Sequence, residues 1–124
     1  GNSFNGKNDY VFFRYADALL MKAEAILRGG TATGGETALS IVNSLRTRSG
    51  APALTAVTLN DILAERGREL YLEGHRRTDM IRFGDYFTGT WAFKTTQTQD
   101  FRKIFPIPNQ QITANPKLKQ NTGY

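Results

Sequence analysis

The 124-residue sequence contains no cysteine. Disulfide frameworks, thiolate metal sites and cysteine nucleophiles are thereby excluded. It holds one histidine, His75, so a metal centre would have to be built almost wholly from carboxylates, and a Ser-His-Asp set has a single residue to supply its base. No apolar run reaches the length of a membrane span; the longest apolar segments are helix-sized and broken by charge. The opening GNSFNGKNDY is too polar for a signal peptide and reads as a loop or frayed end. Acidic residues are the scarcer sign, leaving a net charge of +5. The arginines are nevertheless interleaved with Glu and Asp rather than gathered in a basic run. That pattern argues for internally paired or solvated charge and against a nucleic-acid partner.

What is present fits one domain, or a fragment of one, over residues 1–124, of mainly α class. Residues 12–28 read as a helix whose apolar face is Ala16, Leu19, Leu20, Ala23, Ile26 and Leu27, widened by Ala18, Met21 and Ala25. Only a strip through Arg14, Asp17, Glu24 and Arg28 stays charged. A helix this apolar is expected to be covered on more than one side, and an isolated chain to leave a patch open around Leu19, Leu20 and Met21. Gly29 and Gly30 end the helix, and GGTATGG is a flexible connection that lacks the Lys-Ser/Thr ending of a phosphate loop. A second helix over 36–49 lines up Ala38, Ile41, Val42 and Leu45 and stops at Gly50 and Pro52. Helix, short loop, helix at this size predicts a tetratricopeptide-like hairpin that needs neighbours to bury its faces.

The stretch ILAERGRELYLEGHRRTDMIRF, residues 62–83, carries the most information. Thr58 and Asp61 form a capping-box pattern that starts a helix over 59–73, with a shorter helix over 76–83 after Gly74. Leu59, Leu63, Arg66, Leu70 and Glu73 are spaced to share one face, which puts charge on an apolar seam. Charge held there is tolerated when paired and hydrogen-bonded. The expectation is a structural ion network of Glu65, Arg66, Glu69, Glu73, Arg76, Asp79 and Arg82, with Arg66 and Glu73 buried. The catalytic alternative uses Glu69 and Glu73 as paired carboxylates for glycoside cleavage. Arginines among them lower a carboxyl pKa rather than raise it, which favours the structural reading. His75 is expected to be a hydrogen-bonding residue at the helix junction.

After Gly84 the helical period is lost. DYFTGTWAFKTTQTQDF reads as a loop with a short strand, FPIP at 105–108 as extended chain, NQQI as one helical turn, and NPKLKQNTGY as a tail packed through Leu118 and Tyr124. Trp91, the sole tryptophan, stands with Tyr86 and Phe93 in this segment. Exposed rings stack on the apolar C–H faces of sugars, which makes these three the ligand-binding candidates. The alternative is that Trp91 covers the edge of the helical core. Tyr15 and Tyr71 fall within helical packing patterns and are expected to be covered.

Taken in order, FRYADALLMKAEAI, ALSIVNSLRTRSGAP, ILAERGRELYLEGHRRTDMIRFG, FPIP and NPKLKQNTGY resemble the C-terminal part of the SusD/RagB family, outer-membrane nutrient-binding lipoproteins of Bacteroidetes. The resemblance covers residues 10–124. It implies a mostly helical fold with tetratricopeptide-like helix pairs and no enzymatic activity. The irregular last forty residues are read as a wrapping segment or a functional loop region, and no cofactor or metal is expected. The resemblance further implies binding of nutrient glycans, or sometimes peptides, at the cell surface and delivery to a SusC-like TonB-dependent transporter. Membrane association would come only through a lipid anchor, and the acylated cysteine that carries it is not in this chain. Thr122 also stands where proline is expected in the closing motif. In the family the Glu/Arg block serves the fold. The chain is thus expected to be the C-terminal portion of a longer surface protein. Two other readings stay open: a tetratricopeptide-like protein-interaction module without a sugar ligand, and a carbohydrate-active enzyme using the Glu-rich helix.

Overall fold

The computed structural model describes residues 11–124, so the loop expected at 1–10 lies outside the described residues. The described chain is mainly α: α1 (Tyr15–Leu27), α2 (Ala38–Arg48), α3 (Leu59–Glu69), α4 (Arg76–Phe83), α5 (Asp85–Thr88), a 3-10 turn (Asp100–Lys103) and α6 (Asn109–Ala114). Among the described residues, none of the helices is long and apolar enough to cross a membrane. The chain divides into two compact units, one ending at Arg76 and the other spanning Arg77–Tyr124.

In the first unit α1 packs against both α2 and α3. Leu20, Ala23, Ile41, Val42, Leu45, Ile62 and Leu63 form its dry centre. Each fully buried Leu, Ile or Val there contributes about 1.5–3 kcal/mol relative to leaving it in water. Local chemistry sets the helix starts. Thr37 accepts from the Ser40 amide at 3.0 Å, while Ser40 Oγ accepts from the Thr37 amide at 2.9 Å. This reciprocal cap starts α2 at Ala38, two residues later than the pattern suggested, and leaves Glu36 outside to pair with Lys22 of α1. The Thr58–Asp61 box forms as expected and starts α3 at Leu59.

Three expectations about this unit are corrected. The first helix begins at Tyr15 rather than at 12, because Arg14 is extended and its guanidinium is drawn away to α3 and the turn beyond. Phe12 and Phe13 stay outside the helix and exposed. The third helix stops at Glu69 instead of 73. Leu70 caps it, and the chain turns through Leu72 (φ 63°) and Gly74 (φ 82°), so Glu73 is not on the helical stripe. A positive φ strains leucine but not glycine, so the turn stores strain at Leu72.

The third correction concerns which side of α1 is covered. Asp17 and Glu24, two members of the charged strip, are buried, and Leu20 is buried with them. Of the patch expected at Leu19, Leu20 and Met21, only Met21 is exposed. The exposed apolar side chains lie instead at Val11, Phe12, Phe13 and Tyr15 and at Tyr71 and Leu72. Tyr15 and Tyr71 are 79% and 73% exposed, against the expectation that helical packing would cover them.

The second unit is organised by side chains that grip backbone. Arg77 donates to the carbonyls of Arg102 (2.8 Å) and Lys103 (3.2 Å), and its guanidinium lies 4.3 Å from the Phe105 ring centre and 5.2 Å from that of Tyr86. The tail fastens the extended FPIP segment. Gln120 accepts from the Ile107 amide at 2.8 Å and donates to its carbonyl at 2.9 Å. Asn121 donates to the Phe105 carbonyl at 2.8 Å, and the Tyr124 hydroxyl to that of Ile104 at 2.8 Å. Tyr124 also meets the Phe101 ring edge-on, with centres 4.9 Å apart. Gly123 makes this turn possible: at φ 102° it adopts a conformation that favours glycine, and a Cβ there would sit 2.4 Å from Phe101 Cγ. Leu118 and Tyr124 remain partly exposed, so the tail is held by hydrogen bonds more than by burial.

Candidate functional site

Two groups of side chains were singled out by the sequence, and the structure treats them differently. The charged group, apart from Asp79 and Arg82 of the second unit, holds the helices of the first unit together. Arg66 and Asp17 are 3% and 2% exposed and meet at 2.8 Å between α3 and α1. Charge attraction carries that contact more than an in-line hydrogen bond does. Glu65 takes Arg46 of α2 at 2.9 Å and Arg68 at 2.6 Å. Glu69 takes Arg14 at 2.9 Å and Arg48 of α2 at 2.5 Å. Glu73 receives Arg14 Nε at 3.0 and 2.8 Å through its two oxygens. The expected burial of Arg66 is found; Glu73 is only half-buried, because it lies past the helix end.

The pairing scheme also differs from the one read in the sequence. Glu65, Glu69 and Glu73 draw on Arg14, Arg46 and Arg48 of other segments, and Arg66 draws on Asp17. Arg76 spends its guanidinium on the Leu63 carbonyl at 2.8 Å, and Asp79 pairs with Arg82 within α4 at 2.9 Å. The spacing of residues 65–82 marked which groups needed partners, but not that α1 and α2 supply them. Arg14 holds the Glu73 carboxyl below the ordinary range by its hydrogen bonds. Burial pushes Glu69 up, yet hydrogen bonds from Arg48 and Arg14 outweigh it and leave that carboxyl lowered too. Two carboxylates held ionised in this way are poor proton donors, which is the opposite of what a general acid requires.

The aromatic group lies in the second unit, on a loop with its own internal order. Gly84, at φ 88°, ends α4 and starts α5. Trp91 and Lys94 then exchange two backbone hydrogen bonds of 2.9 Å each, so Ala92 and Phe93 form the tip of a minimal hairpin. The Thr98 amide returns to the Phe87 carbonyl at 2.9 Å and closes the loop onto α5. Lys94 donates its ammonium to the Gly89 carbonyl and lies 4.8 Å from the Trp91 ring centre. Between these pieces runs an open groove of about 540 Å³, lined by Tyr86, Lys94 and Arg102 and by the side chains of 96–99.

Trp91 is 46% exposed and does not plug a core. Tyr86 is half-buried, edge-on to Phe87 at 5.4 Å, and lines the groove. Trp91 adjoins the groove through Lys94. Phe93 is wholly exposed at the hairpin tip and is not part of the lining. The polar lining was missed in the sequence, although the run TTQTQ, five hydroxyl or amide side chains in a row, was the signal for it.

Comparison with known proteins agrees with this architecture. The SusD family model matches residues 1–124. The starch-binding protein SusD of Bacteroides thetaiotaomicron is 38% identical over 94% of this chain and 22% of its own length. SusD-like protein P38 of Formosa agariphila is 35% identical over 92% of this chain and 24% of its own length. Among solved structures, surface glycan-binding protein A from B. thetaiotaomicron superposes with a TM-score of 0.83 at 31% identity, covering 95% of this chain and 26% of that one. The same protein in complex with laminarihexaose gives a TM-score of 0.82 at 32% identity, over 94% of this chain and 26% of that one. The chain therefore spans about a quarter of the length of these relatives. A match over its whole length, on a mainly helical fold with a tetratricopeptide-like hairpin, places this chain in the SusD family.

Proposed function

We propose that the protein carrying this chain captures nutrient glycans at the outer surface of the bacterial cell and passes them to a SusC-like TonB-dependent transporter, without covalent chemistry. The observation that carries the reading is the superposition on a surface glycan-binding protein solved with laminarihexaose. Within this chain the ion-paired helices are scaffold, and the loop after Gly84 is the part that contacts sugar. Trp91 offers a ring face for stacking, Tyr86 a phenol beside the groove, and Phe93 a second exposed ring at the hairpin tip. A lipid anchor outside this chain would hold the protein at the outer membrane.

A glycan array probed with the full-length protein, followed by calorimetry on the positives, tests the reading. Binding of one or more oligosaccharides, recovered uncleaved on product analysis, is the expected result; binding to none, or cleavage, would overturn it. The reading as a protein-interaction module without a sugar ligand draws on a separate observation, the exposed Phe12, Phe13, Tyr15, Tyr71 and Leu72 of the first unit. It predicts an empty array.

A further inference from the structure

We infer that the groove beside Trp91 takes an acidic sugar, one bearing a carboxylate or a sulfate. The inference rests on the glycan-binding reading above and narrows it to a ligand class.

Charge distribution points this way first. The unit Arg77–Tyr124 holds seven basic residues and three acidic ones, so it carries +4 of the chain's total +5. Two of those three carboxylates are already engaged, Asp79 with Arg82 and Asp100 with Lys103, each at 2.9 Å. No carboxylate lines the groove, whereas both Lys94 and Arg102 do. Among the described residues, no carboxylate pairs with Arg102; its guanidinium faces the Phe101 ring at 5.5 Å. A planar guanidinium in that state offers a two-pronged site for a carboxylate or sulfate.

Placement points the same way. The backbone of Arg102 is pinned by Arg77, which donates to its carbonyl. Lys94 is held against Trp91 and the Gly89 carbonyl, with donors of its ammonium still free to turn to a ligand. Lys94 and the backbone that carries Arg102 are thus set before a ligand arrives, which lowers the entropy lost on binding. The hydroxyl and amide side chains of 96–99 supply donors and acceptors for sugar hydroxyls. Trp91 has Lys94 on its ring and a partly exposed surface left for a pyranose face. A neutral glycan would use the ring and the amides but leave both cations unanswered.

The test is isothermal titration of the full-length protein with three probes: trigalacturonate for the carboxylate class, a chondroitin sulfate tetrasaccharide for the sulfate class, and neutral laminarihexaose. At least one acidic probe is expected to bind, more weakly at higher salt. Arg102→Ala should weaken it by about tenfold, the scale of one charge-assisted contact, and Arg102→Glu should weaken it further. Both variants change an exposed side chain and should melt as the parent does. A Lys117→Ala/Lys119→Ala variant, removing two exposed cations outside the groove lining, should change affinity less than about twofold if binding is local rather than diffuse. Binding of laminarihexaose alone would overturn the acidic-sugar inference and leave the glycan reading standing. Acidic binding indifferent to Arg102, or equally lost in the Lys117/Lys119 variant, would overturn the groove assignment. An array empty of both neutral and acidic glycans would overturn the glycan reading, and this inference with it.

Discussion

Replacing Arg66 with methionine is the sharpest test of how the helices are held. Arg66 is 3% exposed and its ion partner Asp17, on α1, is 2% exposed. Methionine fills much of the same volume, so packing loss is small and the electrostatic consequence is isolated. What remains is a carboxylate shut away from water with its 2.8 Å partner gone. Breaking one side of such a pair costs about 3–5 kcal/mol. That is a large share of the stability of an ordinary domain, about 5–15 kcal/mol, and should lower the melting temperature by roughly 10–20 °C. Asp17→Leu should cost a similar amount by taking away the carboxylate that faces the buried guanidinium. The double variant Asp17→Leu/Arg66→Met removes both charges, and should recover most of the loss, since apolar replacement of a whole buried pair is often neutral or better. Urea denaturation followed by far-ultraviolet circular dichroism gives the three free energies. Single variants that lose less than about 1 kcal/mol, or a double variant that loses the sum of the singles, would refute the claim that this contact is a desolvated, mutually dependent pair.

Three further outcomes follow from other parts of the chain. Gly123→Ala puts a Cβ 2.4 Å from Phe101 and a side chain at φ 102°, so it should loosen the tail and speed limited proteolysis there, at a cost on the order of 1–3 kcal/mol. Glu69 and Glu73 are both lowered in the fold, so the stabilisation that Arg14 draws from them is complete above the unfolded carboxylate pKa of about 4.3 and is lost as pH falls through their depressed values. The stability gap between the parent and an Arg14→Gln variant should accordingly be constant near neutrality and close only in acid, as read by denaturation at a series of pH values; a gap that closed above about pH 6 would contradict the sign. Trp91→Ala in the full-length protein should weaken glycan binding at an unchanged melting temperature, and a lowered melting temperature would return Trp91 to the scaffold.

The helices were legible in the sequence because apolar spacing and caps are local. Thr58 with Asp61 fixed the start of α3, and Ile41, Val42 and Leu45 fixed the buried face of α2. The end of α3 was not legible, since the turn through Leu72 requires a strained backbone that no propensity favours. The need to pair Arg66 could be read from its place on an apolar stripe, but its partner Asp17 lies 49 positions away, on the charged strip of a helix whose own pattern does not say what that strip faces. Long-range pairing leaves no periodic trace. The groove was half legible: Trp91 and Tyr86 stood out by type, whereas Lys94 and Arg102 look like ordinary surface cations until the hairpin and the 3-10 turn bring them to one lining.

The way the tail holds the FPIP segment bears on how one copy of the chain avoids pairing with another. An extended stretch with exposed carbonyls is a template on which a second chain can add a strand. Pro106 and Pro108 have no amide hydrogen, so this stretch is rich in acceptors and poor in donors. The tail has the complementary balance: Gln120 and Asn121 donate to it and Tyr124 to the Ile104 carbonyl just before it, while a single acceptor, Gln120 Oε1, answers the Ile107 amide. Side chains of the same molecule thus occupy the positions a neighbouring strand would need. Because these bonds reach backbone rather than side chains, the block on edge-to-edge assembly survives substitutions at Phe105 or Ile107, and it is Gln120, Asn121, Gly123 and Tyr124 that must keep their residue types.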